Sequence, residues 1–191
     1  MWPWGHAGVG YLLYAVAVRA TGRRATAGGS LAVGFGTLAP DLIDKPLAWW
    51  VAVLPNGRSF GHSLFTAGLL VGAVVAYCWV TERRHVGAAF GFGYASHLFA
   101  DALYPLVAGD WYYLGFLAWP LVPPISYPTG KSFLAHLATL EVGWQFGLEI
   151  GLALLAVGVW WRDGRPGLRA VTTAVRSAVI AAGRTLRAQT D

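Results

Sequence analysis

Residues 63–81, SLFTAGLLVGAVVAYCWVT, form a continuous stretch without a charged side chain. A helix needs about 20 mostly apolar residues to cross the hydrocarbon core of a bilayer. This stretch is therefore predicted to span a membrane. Segments of similar character lie on both sides of it, and we predict about five transmembrane helices in all: Trp4–Val18, Ala27–Ala39, Ser63–Thr81, Val86–Val107 and Gly143–Trp161.

The composition of the whole chain agrees with a membrane protein. Of its 191 residues, 56% are hydrophobic and 12% are charged, whereas soluble domains carry about 25% charged residues. Disorder is excluded, because it requires low hydrophobicity. The single cysteine, Cys78, excludes a disulfide framework and a cysteine-rich zinc module. We expect an all-α, polytopic helical membrane protein, with the apolar stretches Pro46–Pro55 and Tyr112–Pro124 lying at the interface or re-entering the membrane.

The basic residues indicate an orientation in the cytoplasmic membrane. Eleven of the 14 lysines and arginines follow the first, third and fifth predicted spans. By the positive-inside rule these segments are cytoplasmic, so the N-terminus is predicted outside and the C-terminus inside. The other three basic residues are then expected on the outer side: Lys45, Arg58 and Lys131. Because the positive charge follows topology and no DNA-binding motif accompanies it, we expect no nucleic-acid partner.

Residues 162–191 form a basic tail, which we separate from a transmembrane helical domain at residues 1–161. Its apolar residues recur at helical spacing from Leu168 to Leu186, while Arg169, Arg176 and Arg184 fall on another face. This pattern predicts an amphipathic helix on the anionic cytoplasmic leaflet, with membrane lipid as its partner. The alternatives are a plain surface helix and a disordered tail.

Two ionisable residues stand inside the fourth predicted span. His97 and Asp101 are four residues apart, so they share one face of a helix. Ionisable groups in a bilayer cost about 2.5–3.5 kcal/mol each on insertion scales, and they mark functional sites by default. The spacing suits two ligands of one metal ion, or a histidine oriented by a carboxylate. The alternative is a structural pair that ties helices together.

Further imidazoles and carboxylates are predicted at the same depth in the outer half of the membrane. His6 opens the first span, Asp41 and Asp44 are expected to follow the second, and His62 precedes the third. Three imidazoles and three carboxylates without a thiolate suit a divalent transition metal, with zinc or manganese expected first. The predicted metal ligands are His6, Asp41, Asp44, His62, His97 and Asp101.

A polar stripe is predicted on the fifth span. Glu141, Gln145 and Glu149 follow one another at steps of four residues, and both glutamates are expected toward the outer end. They could be further ligands, a general base or partners of the histidines. The alternative is hydrogen bonding between helices.

At these residues the chain resembles the membrane-bound metal-dependent hydrolase family, whose members include LexA-binding, inner-membrane-associated hydrolases. The resemblance runs from about His6 to Pro120. It rests on four elements: Gly5-His6; Pro40, Asp41 and Asp44; Arg58, His62 and Ser63; and Ser96, His97, Asp101 and Pro105. The chain departs from the family pattern where Lys45 and Gly57 stand in place of histidines, and where the two carboxylates are three residues apart rather than two.

The resemblance and the ligand set together predict a membrane-embedded metal-dependent hydrolase. Its cofactor is a divalent metal ion, and its substrate is a lipid or lipid-linked ester or phosphoester. Asp44 or Glu141 is expected to be a ligand or the general base. Two alternatives remain open: a transporter or channel for a metal ion or proton, and a structural membrane protein whose His–Asp pair packs helices.

Overall fold

The computed structural model describes residues 1–126, 132–138 and 140–188, and these are arranged as helices joined by loops and turns. Lys131 and the last three residues of the predicted tail lie outside the described residues. No β-strand occurs in the described ranges. The α-helices are α1 Pro3–Ala20, α2 Ala27–Trp49, α3 Leu64–Val80, α4 Arg84–Ala108, α5 Phe133–Ala138, α6 Trp144–Arg162 and α7 Leu168–Ala188, and a 3₁₀ helix covers Trp111–Ala118.

Helices α2 and α4 pack in parallel at the centre of the protein, because Gly28 lies beside Val86 near their starts and His97 contacts the Thr37 carbonyl oxygen farther along both. Gly36 lies against the backbone of Phe90, and Gly93 lies against the backbone of Val33, so neither glycine has room for a Cβ atom. These reciprocal contacts let the two backbones approach each other closely, as small residues do between membrane helices. The close approach brings the second half of α2 beside the second half of α4, where the polar residues lie.

The remaining long helices surround this pair. Helix α3 runs antiparallel to α4, with Gly91 against Val71 and Gly87 against Cys78. Helix α1 packs beside α6, and the two run in the same direction, because the backbone N–H of Trp2 donates to Glu149 at one end and Arg19 pairs with Asp163 at the other.

Helix α2 is longer than the sequence predicted. It continues through Pro40 and Pro46 to Trp49, so Asp41 and Asp44 lie within it rather than after it. The predicted end at Ala39 is therefore wrong, and the apolar segment from Pro46, predicted to lie at the interface or to re-enter the membrane, begins inside the helix. An interior proline costs a helix about 3 kcal/mol, but Pro40 is fully buried and Asp44 accepts three hydrogen bonds from the neighbouring loop, which holds the helix in place.

Helix α6 is the one helix in the described chain that is long and apolar enough to cross a membrane. Its mean hydropathy is 1.3, and only 11% of the span is buried inside the protein. Helix α3 is a shorter apolar helix, and it exposes Leu69 and Val80. Glycines and the ionisable residues of the site occupy α1, α2 and α4 and make them less apolar, so the prediction of about five spans is supported for α6 only.

Candidate metal centre

All six predicted ligands lie together at one end of the helix bundle. His6 comes from the first turn of α1, Asp41 and Asp44 from α2, His62 from the loop before α3, and His97 and Asp101 from α4. Every one of these residues is buried, and none is more than 8% exposed. The structure thus brings four separate parts of the chain to one polar cluster.

Two imidazole nitrogens face each other at the centre of the cluster. Nε2 of His62 and Nε2 of His97 are 3.0 Å apart. Asp101 Oδ2 lies 3.5 Å from the first nitrogen and 3.7 Å from the second, and Asp41 Oδ1 lies 3.5 Å from His62 Nε2. Ligands about 2.0–2.1 Å from one tetrahedral zinc ion are about 3.3–3.4 Å apart. The three atoms of His62, His97 and Asp101 therefore have the spacing that a single ion requires.

The outer nitrogen of each of these imidazoles is anchored. His62 Nδ1 donates to Asp44 Oδ2 at 2.8 Å, and His97 Nδ1 donates to the carbonyl oxygen of Thr37 at 2.7 Å. With both Nδ1 atoms donating, two neutral rings present lone pairs at both Nε2 atoms. Two lone pairs repel each other at the 3.0 Å that separates these nitrogens, so the contact needs either a proton on one Nε2 atom, which then donates to the other, or a metal ion between them. Histidines that bind metals are oriented by this kind of second hydrogen bond.

Asp44 stands behind His62 rather than among the inward-facing ligand atoms. Its Oδ1 accepts from the backbone N–H of Gly61 at 2.6 Å, and its Oδ2 accepts from that of Ser59 at 2.7 Å as well as from His62. With three donors already on this fully buried carboxylate, Asp44 is placed to orient His62. These hydrogen bonds favour the orienting role, and the part of Asp44 as a ligand or general base stays a prediction.

His6 lies against the other side of His97. The two rings stack with their centroids 3.7 Å apart, and His6 Nε2 is 3.2 Å from Asp101 Oδ1. His6, Asp41 and His97 each offer one ligand atom, and these three atoms lie within 4.8 Å of one another. They form a second group able to hold an ion. Two buried atoms, His6 Nδ1 and Asp101 Oδ2, have no hydrogen-bond partner among the described residues. Buried polar atoms left unpaired are costly, and a bound cation would satisfy Asp101.

Two basic side chains border the cluster. Arg58 Nη2 donates to Asp101 Oδ1 at 2.9 Å, and its Nε lies 2.9 Å from Oδ2 without the alignment of a hydrogen bond. Lys45 Nζ lies 2.6 Å from Asp41 Oδ2. The amine of Met1 also donates to Asp101 Oδ1, at 3.0 Å. The family resemblance includes Arg58, but sequence reasoning assigned neither Arg58 nor Lys45 a role at the site, although the spacing of Asp41 and Lys45 already suits an i,i+4 ion pair.

The polar stripe predicted on the fifth span is divided by the start of α6. Glu141 precedes α6, is exposed, and has no hydrogen bond or ion pair to the cluster among the described residues, so its predicted role as ligand or base is not supported by its position. Glu149 is buried and accepts from the backbone N–H of Trp2 at 2.9 Å. A Cβ atom at Gly5 would lie 2.8 Å from its Oε2. Glu149 therefore fixes the start of α1, which carries His6.

The loop that carries His62 is held by hydrogen bonds of Tyr94 and Ser63 and by a ring contact with Phe116. The hydroxyl of Tyr94 donates to the carbonyl oxygen of Gly61. Ser63 caps α3 by accepting from the N–H of Phe65 at 3.2 Å, and its hydroxyl donates to the carbonyl oxygen of Trp119. Phe116 of the 3₁₀ helix covers His62 edge-on, with ring centroids 6.0 Å apart. These contacts keep the centre closed on the outer side of His62.

Comparison with known proteins identifies a family for the chain. The family model described as YdjM inner membrane protein matches residues 1–182. No curated protein and no solved structure matches the chain. The match covers almost the whole chain and places it among inner-membrane proteins, whereas the hydrolase activity and metal dependence implied by the resemblance stay predictions.

Proposed function

Because the chain belongs to the YdjM inner membrane protein family, we propose that it is a metal-dependent hydrolase that acts within the cytoplasmic membrane. Its centre is formed by His62, His97 and Asp101, with Asp41 and His6 beside them. The substrate is a lipid or lipid-linked ester or phosphoester, because a buried centre in a membrane protein meets its substrates in the bilayer.

The observation that carries the proposal is the spacing of the inward-facing atoms. His62 Nε2, His97 Nε2 and Asp101 Oδ2 are 3.0–3.7 Å apart, and the buried Asp101 Oδ2 lacks a hydrogen bond among the described residues. Nitrogen and oxygen ligands of this kind suit zinc or manganese. A divalent ion held there would polarise an ester or phosphoryl oxygen and make water more acidic.

The chain's own residues prepare the centre for this reaction. Asp44 and the Thr37 carbonyl group hold the two imidazoles so that their Nε2 atoms point inward. Arg58 holds Asp101 in place. In the reaction one water molecule adds across the scissile bond, its oxygen going to the acyl carbon or phosphorus and its protons ending on the products, an alcohol and an acid.

We further propose that α1, α2, α3, α4 and α6 all cross the membrane, with the centre near its outer face. The shared direction of α1 and α6 and the antiparallel packing of α3 on α4 support this arrangement. A cysteine introduced at Glu82 should resist an impermeant maleimide in whole cells of a Cys78→Ala background, while one at Asp110 should react. The reverse labelling would contradict the orientation.

Metal analysis and hydrolysis assays together test the function. We expect purified protein to bind a divalent ion stoichiometrically and to hydrolyse a lipid ester or phosphoester until a chelator is added. His97→Ala should lose both properties, whereas the control His85→Ala, at the opposite end of α4, should keep them. Metal-dependent ion flux into liposomes without hydrolysis would favour the transporter instead. Absence of bound metal, together with lowered stability of His97→Ala, would favour a structural role.

A further inference from the structure

An aromatic cavity of about 260 Å³ adjoins the metal centre. It lies between the start of α1 and the second half of α2, and Asp41 forms part of its wall. Its other main lining residues are Trp2, Leu38, Leu42, Lys45, Trp49 and Trp50. The volume is at the small end for ligand pockets, which typically measure about 300–1,000 Å³. It is therefore sized for part of a lipid rather than for a whole one.

One cation joins this cavity to the centre. Lys45 Nζ contacts Asp41 Oδ2 at 2.6 Å and lies 5.9 Å from the ring centroid of Trp49. The Lys45 side chain is 20% exposed, so it remains accessible from the cavity. The rest of the lining is largely hydrocarbon and indole. An occupant must therefore combine an apolar body with a group that tolerates a neighbouring ammonium.

The charges of the centre favour an anionic group at this point. Lys45 pairs with Asp41, and both Arg58 and the Met1 amine pair with Asp101, which leaves Asp44 as the one further carboxylate of the six-residue cluster. A divalent ion would thus give the centre an excess of positive charge. Phosphate oxygens bind strongly to such an arrangement through charge-assisted contacts, whereas an uncharged carboxyl ester has no need of it.

We propose that the aromatic cavity receives the hydrocarbon part of a phosphate-bearing amphiphile, whose phosphate group lies between Lys45 and the metal centre. The inference rests on the proposed function, because the metal supplies part of the positive charge. Tryptophan is typical of the boundary between hydrocarbon and headgroups, and Trp2, Trp49 and Trp50 would place the occupant at that depth. The substrate class is accordingly a lipid phosphoester.

Binding of short alkyl phosphates to the zinc-loaded protein in detergent, measured by calorimetry, tests this inference. Affinity should rise about fourfold for each methylene group from butyl to octyl phosphate while the chain enters the cavity. Octyl phosphate should bind at least about tenfold more tightly than inorganic phosphate and than octanol. Equal affinity for octyl phosphate and inorganic phosphate would overturn the inference that the cavity receives a hydrocarbon chain, and would indicate a site for the free phosphate ion.

Three variants and one control separate the two parts of the site. Leu42→Trp fills the cavity and should abolish the dependence on chain length, whereas Leu69→Trp, on the exposed face of α3, should not. Trp50→Ala removes an exposed wall of the cavity and should weaken the binding of octyl phosphate but not that of inorganic phosphate. Lys45→Gln should weaken all phosphates about tenfold. An unchanged chain-length dependence in both Leu42→Trp and Trp50→Ala would refute the proposal.

Metal content, measured in each sample, separates failure of this inference from failure of the proposed function. If the protein binds zinc but its affinity for alkyl phosphates does not depend on alkyl length, the metal centre is supported and the cavity is not a lipid site. If the protein binds no zinc but still prefers octyl phosphate, and Leu42→Trp loses this preference, the cavity is supported as a lipid site and the hydrolase proposal is contradicted.

Discussion

Replacement of Asp44 by asparagine tests how the centre is held together. The carboxylate of Asp44 is fully buried and accepts from Ser59 N–H, Gly61 N–H and His62 Nδ1–H. Asparagine keeps one acceptor oxygen and turns an NH₂ group toward at least one of these donors. Hydrogen bonds to a charged group contribute about 1.5–3 kcal/mol, and a buried unsatisfied donor costs about 1–3 kcal/mol. Asp44→Asn should therefore lower the free energy of unfolding by about 3 kcal/mol.

Unfolding by SDS titration in mixed micelles, followed by circular dichroism, measures this loss. The control is Asp110→Asn, at an exposed position without a side-chain cap bond, which should change the free energy of unfolding by less than about 0.5 kcal/mol. Metal affinity should fall about 10–100-fold in Asp44→Asn, the usual effect of losing a residue that orients a ligand. Unchanged stability would refute the hydrogen-bond assignment, and complete loss of metal would make Asp44 a ligand after all.

Two further substitutions test the packing and the electrostatics around the site. Gly36→Ala should destabilise the protein by about 1–3 kcal/mol through overpacking against α4. The control Gly34→Ala, whose Cβ atom meets nothing within 4 Å, should be neutral or slightly stabilising. Thermal unfolding in detergent compares the two variants, and equal midpoint temperatures would contradict the close contact between α2 and α4. Arg58→Met leaves the buried carboxylate of Asp101 without its guanidinium partner and should lower the free energy of unfolding by about 2 kcal/mol. The control Arg176→Met, on the exposed tail, should lower it by less than about 0.5 kcal/mol. SDS titration measures both values, and an unchanged stability of Arg58→Met would show that the Arg58–Asp101 ion pair does not stabilise the protein.

The positions of the helices follow from features that the sequence displays directly. Apolar runs near Leu64–Val80 and Trp144–Arg162 predict helices because a chain in an apolar setting must satisfy its backbone internally. The end of α2 was not predictable in this way, because Pro40 is a helix-breaking signal when judged locally. Its helical neighbours and the loop bonds to Asp44 override that signal, and both come from distant parts of the chain.

The ligand types were predictable, but their division of labour was not. Ionisable residues within apolar segments indicate a site because their burial requires compensation, which identified His97 and Asp101. The role of Asp44 depends on backbone N–H groups at Ser59 and Gly61, 15 and 17 residues away, and no side-chain pattern reveals such donors. The prediction for Glu141 rested on a spacing of four residues, which places side chains on one face only where the helix includes both residues, and α6 begins after it, at Trp144.

X-ray absorption spectroscopy on zinc-loaded protein tests the central claim most directly, with elemental analysis of the same samples. We predict tightly bound zinc with imidazole nitrogens at about 2.0–2.1 Å, and loss of that coordination in both His62→Ala and His97→Ala but not in His85→Ala. A well-folded protein that retains no zinc, or that retains the same coordination in His62→Ala, would contradict a metal centre at this cluster.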